Sequence, residues 1–276
     1  MRGFSLFTTL KYTIFALSMM IIASITTAHA GSTQVAEPKH SVKEITTFAK
    51  QVEKYAAKQG ARAFIIARMG RPKKDLPKGI SFTHTAIAVY SDIQLGNGQT
   101  ARGYAIHNLY QNEGQLDTSS LVIDYPTDFF WGAEELKAGI IIPTTDLQQR
   151  LIEAITLGKN KDVHNSNYSV IANPFNNQFQ NCTEHTLDVI NTSIYQTTDS
   201  VRLKRNAKSH FQPQRVKTNR FKLMLGSAFM DDVTTKDHDG KIYTATFTTI
   251  AKYLNNNQLM QSSVVFDQQG KATNLI

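Results

Sequence analysis

Apolar residues recur at helical spacing through Val42, Ile45, Phe48, Ala49, Val52, Tyr55 and Ala56. Positions three and four apart share one helix face, so this run predicts an amphipathic helix. Ser41 with Glu44 three positions on reads as a capping box at its start, and Gly60 as its stop. Dense β-type runs follow. Residues 61–68 (ARAFIIAR), 82–90 (FTHTAIAVY), 102–110 (RGYAIHNLY), 121–125 and 137–143 each predict a strand. Residues 69–79 (MGRPKKDLPKG) are a basic loop punctuated by Pro and Gly, and Gly96-Asn97-Gly98 marks a turn. Residues 126–135 predict a short helix anchored by Phe129, Phe130 and Trp131. Residues 146–157 predict another, with Leu147, Leu151, Ile152 and Ile155 inward. Residues 168–172 read as a short strand. Residues 202–220 are basic and poor in apolar positions, and read as a connection. Strands or a helix are expected within 221–229, 241–254 and 258–266.

The polar stretch before Leu187 changes the picture most. Gln180-Asn181-Cys182-Thr183-Glu184-His185 precedes Leu187, Ile190 and Ile194, which are helically spaced. Asn181 is a good N-cap, because its side-chain oxygen accepts from the free N–H groups of the first turn. With Glu184 at the third position the pair resembles a capping box. Cys182 then lies in the first turn of an amphipathic helix, where the dipole favours a thiolate nucleophile. The plain alternative is a small buried side chain.

Composition narrows the class. The chain has 276 residues, 41% hydrophobic and 19% charged, as expected of a globular protein. Its formal net charge of +8 is dispersed and forms no stripe, a mild pull toward anionic surfaces and only weak ground for nucleic acid as a partner, which the export expected from residues 1–30 argues against. One cysteine allows no internal disulfide. Residues 1–30 read as a secretory signal peptide: Arg2 and Lys11, an apolar run over 14–25, then Ala28-His29-Ala30 for cleavage. That run of about a dozen residues is short of the ~20 a span requires. Export to the periplasm or beyond is expected, with no stable membrane anchor after cleavage. The expected organisation is signal peptide 1–30, a main domain over 31–200 and a C-terminal extension over 201–276.

His84 lies on the predicted strand 82–90 between small residues, and His107 on the returning strand. Strands joined by a Gly/Asn turn pair antiparallel, so the two imidazoles meet if the register permits. No His-Glu-x-x-His, Cys-x-x-Cys, phosphate-binding glycine loop or Gly-x-Ser-x-Gly elbow occurs. Two or three of the eight histidines, which include His84, His107, His164 and His185, could bind zinc in principle, but no spacing is specific enough to prefer it, and Asp237-His238-Asp239 reads as a polar turn first and a metal site second. No metal or other cofactor is implied.

His84-Thr85-Ala86-Ile87-Ala88-Val89, then Tyr104-Ala105-Ile106-His107, then Asn181-Cys182-Thr183-Glu184-His185 resemble the circularly permuted papain-like enzymes. That group includes the lecithin–retinol acyltransferase and NlpC/P60-related proteins. The resemblance implies an α+β fold, an antiparallel sheet packed against the helix that carries the cysteine. It implies Cys182 as nucleophile, His84 as base and His107 as orienting residue. Asn181 and backbone N–H groups would support the oxyanion. Asn108 is a poorer alternative for the orienting role, and Asp124 a further one. Over residues 60–195 the chain also resembles DUF2145, a family of exported bacterial proteins with no assigned reaction. The matching parts are Arg68-Met69-Gly70-Arg71, Thr83-His84, Ile106-His107-Asn108-Leu109, Asp128-Phe129-Phe130 and Tyr168-Ser169-Val170-Ile171-Ala172. Two functions follow as expectations. One is a cysteine-dependent hydrolase or acyltransferase acting on an amide or ester. The other is a non-catalytic binding module on the same scaffold. Either would engage a peptide, a cell-wall component or a lipid-type molecule.

Overall fold

A computed structural model describes residues 37–94, 96, 98–217 and 233–276. The expected leader at 1–30 and the segment at 221–229 lie outside the described residues.

The capping box forms as expected. Ser41 and Glu44 bond reciprocally and start α1 (Val42–Lys58), whose Ile45, Phe48, Ala49, Val52 and Ala56 are buried. The chain then builds β1 (Ala63–Met69), β2 (His84–Gln94), β3 (Thr100–Asn112) and β4 (Gln115–Asp124). Next come α2 (Pro126–Trp131), β5 (Glu135–Pro143), α3 (Thr145–Thr156), the short α4 (Lys159–Asp162) and α5 (Cys182–Tyr195). The C-terminal part supplies α6 (Ser200–His210), β6 (Gln214–Arg215), β7 (Tyr243–Thr244), α7 (Phe247–Asn256), β8 (Met260–Asp267) and β9 (Ala272–Asn274).

Seven strands form one antiparallel sheet in the order β4-β3-β2-β1-β5-β8-β9. β1 is buried along its whole length, as a central strand covered on both faces must be. Strand alternation divides the core in two. Even-numbered residues Phe64, Ile66, Ala86, Ala88 and Ile106 pack against α1 and α2. Odd-numbered Ile65, Ala67, Ile87 and Val89 pack against α3, α5, α6 and α7. The fold is α+β, a large antiparallel sheet with helices on both faces.

The chain beyond 200, expected as an extension, is part of this body. β8 pairs with β5 from Lys137↔Asp267 to Pro143↔Met260, and α7 buries Phe247, Ile250, Ala251 and Leu254 in the same core. Residues 202–220, expected as a connection, begin with a helix instead. Asp199 caps α6 by accepting from the N–H groups of Val201 and Arg202. Its buried residues are Leu203, Lys204 and Ala207, so a lysine occupies a position where periodicity looks for an apolar residue. Residues 168–172 form no strand beyond a single bridge from Tyr168 to Gln180. Among the described residues, no helix is long and apolar enough to cross a membrane.

Candidate functional site

Cys182 is the first residue of α5, and Asn181 caps it. Asn181 Oδ1 accepts from the N–H groups of Thr183 at 3.1 Å and Glu184 at 2.9 Å. Its amide donates to Val170 O and, more weakly, to Thr244 Oγ1. Asn181 thus ties three segments together, and its donors are committed to that role rather than turned toward an oxyanion. The capping box is only half formed, because Glu184 reaches Lys204 and not the Asn181 backbone.

α5 is not the amphipathic surface helix the spacing predicts. Every residue from Cys182 to Ser193 is buried. A helix enclosed on all sides must satisfy its polar side chains internally. Thr186 donates to Thr85 O or Cys182 O, Thr183 to Thr85 Oγ1, and Tyr253 to Asn191 Oδ1. Lys204 bonds both Glu184 and Asp188.

The Cys182 thiol is 3.8 Å from Thr83 O and 3.9 Å from Thr183 Oγ1. Its side chain packs with Leu109 and Tyr168. Burial pushes the thiol pKa up, against weaker opposing pulls from Thr85, Thr183 and the Arg68 charge. A helix N-terminus favours a thiolate, but here desolvation is the larger effect. The thiol lines a pocket of about 110 Å³ walled by Leu76, Ile80, Phe82, Val170 and Val216.

His84 lies on the other face of the sheet. Alternation along β2 sends Thr85 to α5, where its hydroxyl meets Thr183, and His84 to α2. Its ring is fully buried, stacked 4.7 Å from Tyr110 and 5.5 Å from Phe129. Nε2 bonds Asn108 Oδ1 at 2.9 Å, while Nδ1 has no hydrogen-bond partner among the described residues. Burial first, then the Arg68 charge, lowers the His84 pKa to about 3, so the ring is neutral. Arg68 donates to Phe129 O and lies over the Tyr110 and Phe129 rings. Tyr110 donates to Asp124 Oδ2 at 2.6 Å. Arg68, His84, Asn108, Tyr110 and Asp124 therefore form one buried polar layer between the sheet and α2.

The register corrects the role expected of His107. The β2–β3 ladder ends at Gln94↔Thr100, so residues of like parity share a face. His107 pairs with Ile87 and faces α5, away from His84. Asn108, the poorer alternative by sequence, is the residue that holds His84. Asp124 holds Tyr110 instead. His107 lies in the field of His185, whose ring is 6.0 Å from that of His164. Burial lowers His107 to about 4 and His185 to about 3. Among the described residues, no group of three acidic, histidine or cysteine side chains is placed to hold a metal. The sequence reading also missed Lys204, Asp188 and Thr85. Asp237 and His238 pin the loop before α5. Asp237 accepts from Asn173 N, and His238 Nε2 bonds Ile171 O.

A family model described as "Uncharacterized protein conserved in bacteria (DUF2145)" matches residues 55–254, most of the chain and most of the sheet. The protein belongs to the DUF2145 family. The matched span takes in β1 to β5, the cysteine helix and most of α7, and stops short of β8. No curated protein and no solved structure matches this DUF2145 chain.

Proposed function

We propose that this DUF2145 protein is an exported, non-catalytic binding module whose pocket at Cys182 receives one apolar group of a peptide or lipid-type ligand. The observation that carries the reading is the separation of Cys182 and His84 onto opposite faces of the sheet. A cysteine nucleophile needs a base within hydrogen-bond reach, and among the described residues the hydrogen-bond neighbours of this thiol are a backbone carbonyl and a hydroxyl. Its raised pKa favours the inert thiol form.

The pocket walls support the choice of ligand. They are mostly aliphatic and aromatic, with Arg71 as the charged member and Asn181, Thr83, Thr183, Thr244 and Thr246 as polar ones. At about 110 Å³ the space suits one side chain or the end of an acyl chain. A typical small-molecule site starts at roughly 300 Å³. The permuted papain-like relation belongs to this proposal. Its support is a cysteine helix packed on the strand that follows a histidine, within an antiparallel sheet. Export rests on the leader pattern at 1–30.

The test is a titration of ¹⁵N-labelled protein with N-acetyl-leucinamide, hexanoate and N-acetyl-glycinamide. The apolar probes are expected to shift the amides of Val170, Cys182 and Ala245, and Val170→Trp to abolish the shifts. Equal response to the glycine probe, or shifts that persist in Val170→Trp, would contradict the proposal.

A further inference from the structure

A second pocket of about 340 Å³ opens between α5, the start of α6 and the loops at 162–166 and 177–180. Its walls carry three carboxylates, Asp162, Glu184 and Asp188, against one ammonium, Lys204. This acidic balance is local, in a chain whose formal net charge is +8.

Three of these groups, Lys204, Asp188 and Glu184, are buried and are not equally satisfied. Lys204 Nζ is 2.9 and 2.7 Å from the two oxygens of Asp188, and 2.6 Å from Glu184 Oε1. Asp188 also accepts from Gln180 Nε2 at 2.8 Å. Asp188 therefore takes most of the lysine charge. Glu184 is fully buried, and its second oxygen, Oε2, has no hydrogen-bond partner among the described residues. Such an orphan is costly in a protein interior. Burial raises the Glu184 pKa to about 8, so at neutral pH this carboxyl holds a proton that nothing among the described residues accepts. An arriving cation offers the missing partner.

We propose that this pocket binds a small ligand bearing a primary ammonium group, received by Glu184 Oε2 with Asp162 at the mouth. The ammonium donates to Oε2, and the Glu184 proton leaves to solvent. Asn177 and Ser200, bonded to each other at 3.1 Å on the rim, offer hydroxyl and amide oxygens to further N–H groups. Phe179 supplies an apolar wall for a methylene chain. This site is independent of any occupant at Cys182.

Isothermal titration calorimetry of the full chain with 1,4-diaminobutane and with lysine, in phosphate and in Tris at pH 7, tests the proposal. Saturable binding is expected, with a heat that depends on the buffer because a proton is released. Affinity should rise from pH 6 to 8, as less Glu184 proton remains to be displaced. Glu184→Gln keeps the shape and removes the ability to ionise on binding, and should weaken binding roughly tenfold or more. Ser166→Trp plugs the mouth without touching the ion cluster. It should abolish binding at unchanged melting temperature, which separates loss of the site from loss of the fold. Absence of saturation, a buffer-independent heat, glucose binding as well as the diamine, or wild-type affinity in both variants would each overturn the proposal.

Discussion

At the residue scale, His84 and Asn108 show what the buried polar layer does. His84 is neutral, fully buried and held by one good hydrogen bond. Removing the acceptor with Asn108→Ala leaves both ring nitrogens without a partner. We expect a loss of about 1–3 kcal/mol in urea unfolding. His107→Ala removes no hydrogen bond to His84 and should leave that ring's environment unchanged, as read by its NMR signals. Identity of the residues was legible in the sequence, but their pairing was not. Facing pairs depend on the parity of the hairpin loop, and Gly96-Asn97-Gly98 marks a turn without fixing where the ladder closes. Asn181 was legible as a cap because capping is local. Its bonds to residues 170 and 244 belong to the tertiary fold.

At the element scale, α6 and α7 carry the features that periodicity obscures. α6 buries a lysine because Glu184 and Asp188 on α5 face it, so its apolar stripe is interrupted. The start signal was nonetheless present in Asp199, and Asp199→Ala should cost about 1 kcal/mol of stability. α7 approaches β5 over Gly139. A Cβ built there would lie 2.5 Å from Phe247 Cε1. Gly139→Ala must push the Phe247 ring aside, and is expected to destabilise by about 1–3 kcal/mol in the same assay. Gly139→Ala combined with Phe247→Leu should recover part of that loss. The helices α1, α2 and α3 were legible because each shows one clear apolar face or aromatic anchor. α5 was legible in position and misleading in character, since polar residues such as Thr183, Thr186 and Asn191 are buried by tertiary partners.

At the scale of the whole molecule, the sheet binds the N- and C-terminal parts into one core. Truncation after residue 200 removes β8, α6 and α7, and exposes the edge of β5 and the α7 face of the core. We expect it to abolish cooperative unfolding in circular dichroism. Stability should also depend on pH through buried histidines. His84 and His185 are held neutral, with pKa lowered from 6.5 to about 3. The unfolded chain therefore takes up protons that the native protein refuses. Stability falls as pH drops from about 6.5 toward 3, by about 1.4 kcal/mol per pH unit for each such histidine. Glu184 acts in the opposite sense. Its pKa is raised from 4.5 to about 8, so stability is lost as pH rises through that range. The urea midpoint should peak near pH 6.5, and the high-pH decline should vanish in Glu184→Gln.

The separation of Cys182 from His84 is the centre of the functional account, and the thiol reports on it directly. The measurement is the rate of Cys182 alkylation by iodoacetamide against pH, in the native protein and in His84→Ala. A rate that stays low at neutral pH and rises only above the ~8.5 of a free thiol, unchanged by His84→Ala, is the expected result. A reactive thiolate below pH 7 that His84→Ala suppresses would contradict the account and restore a Cys–His catalytic pair.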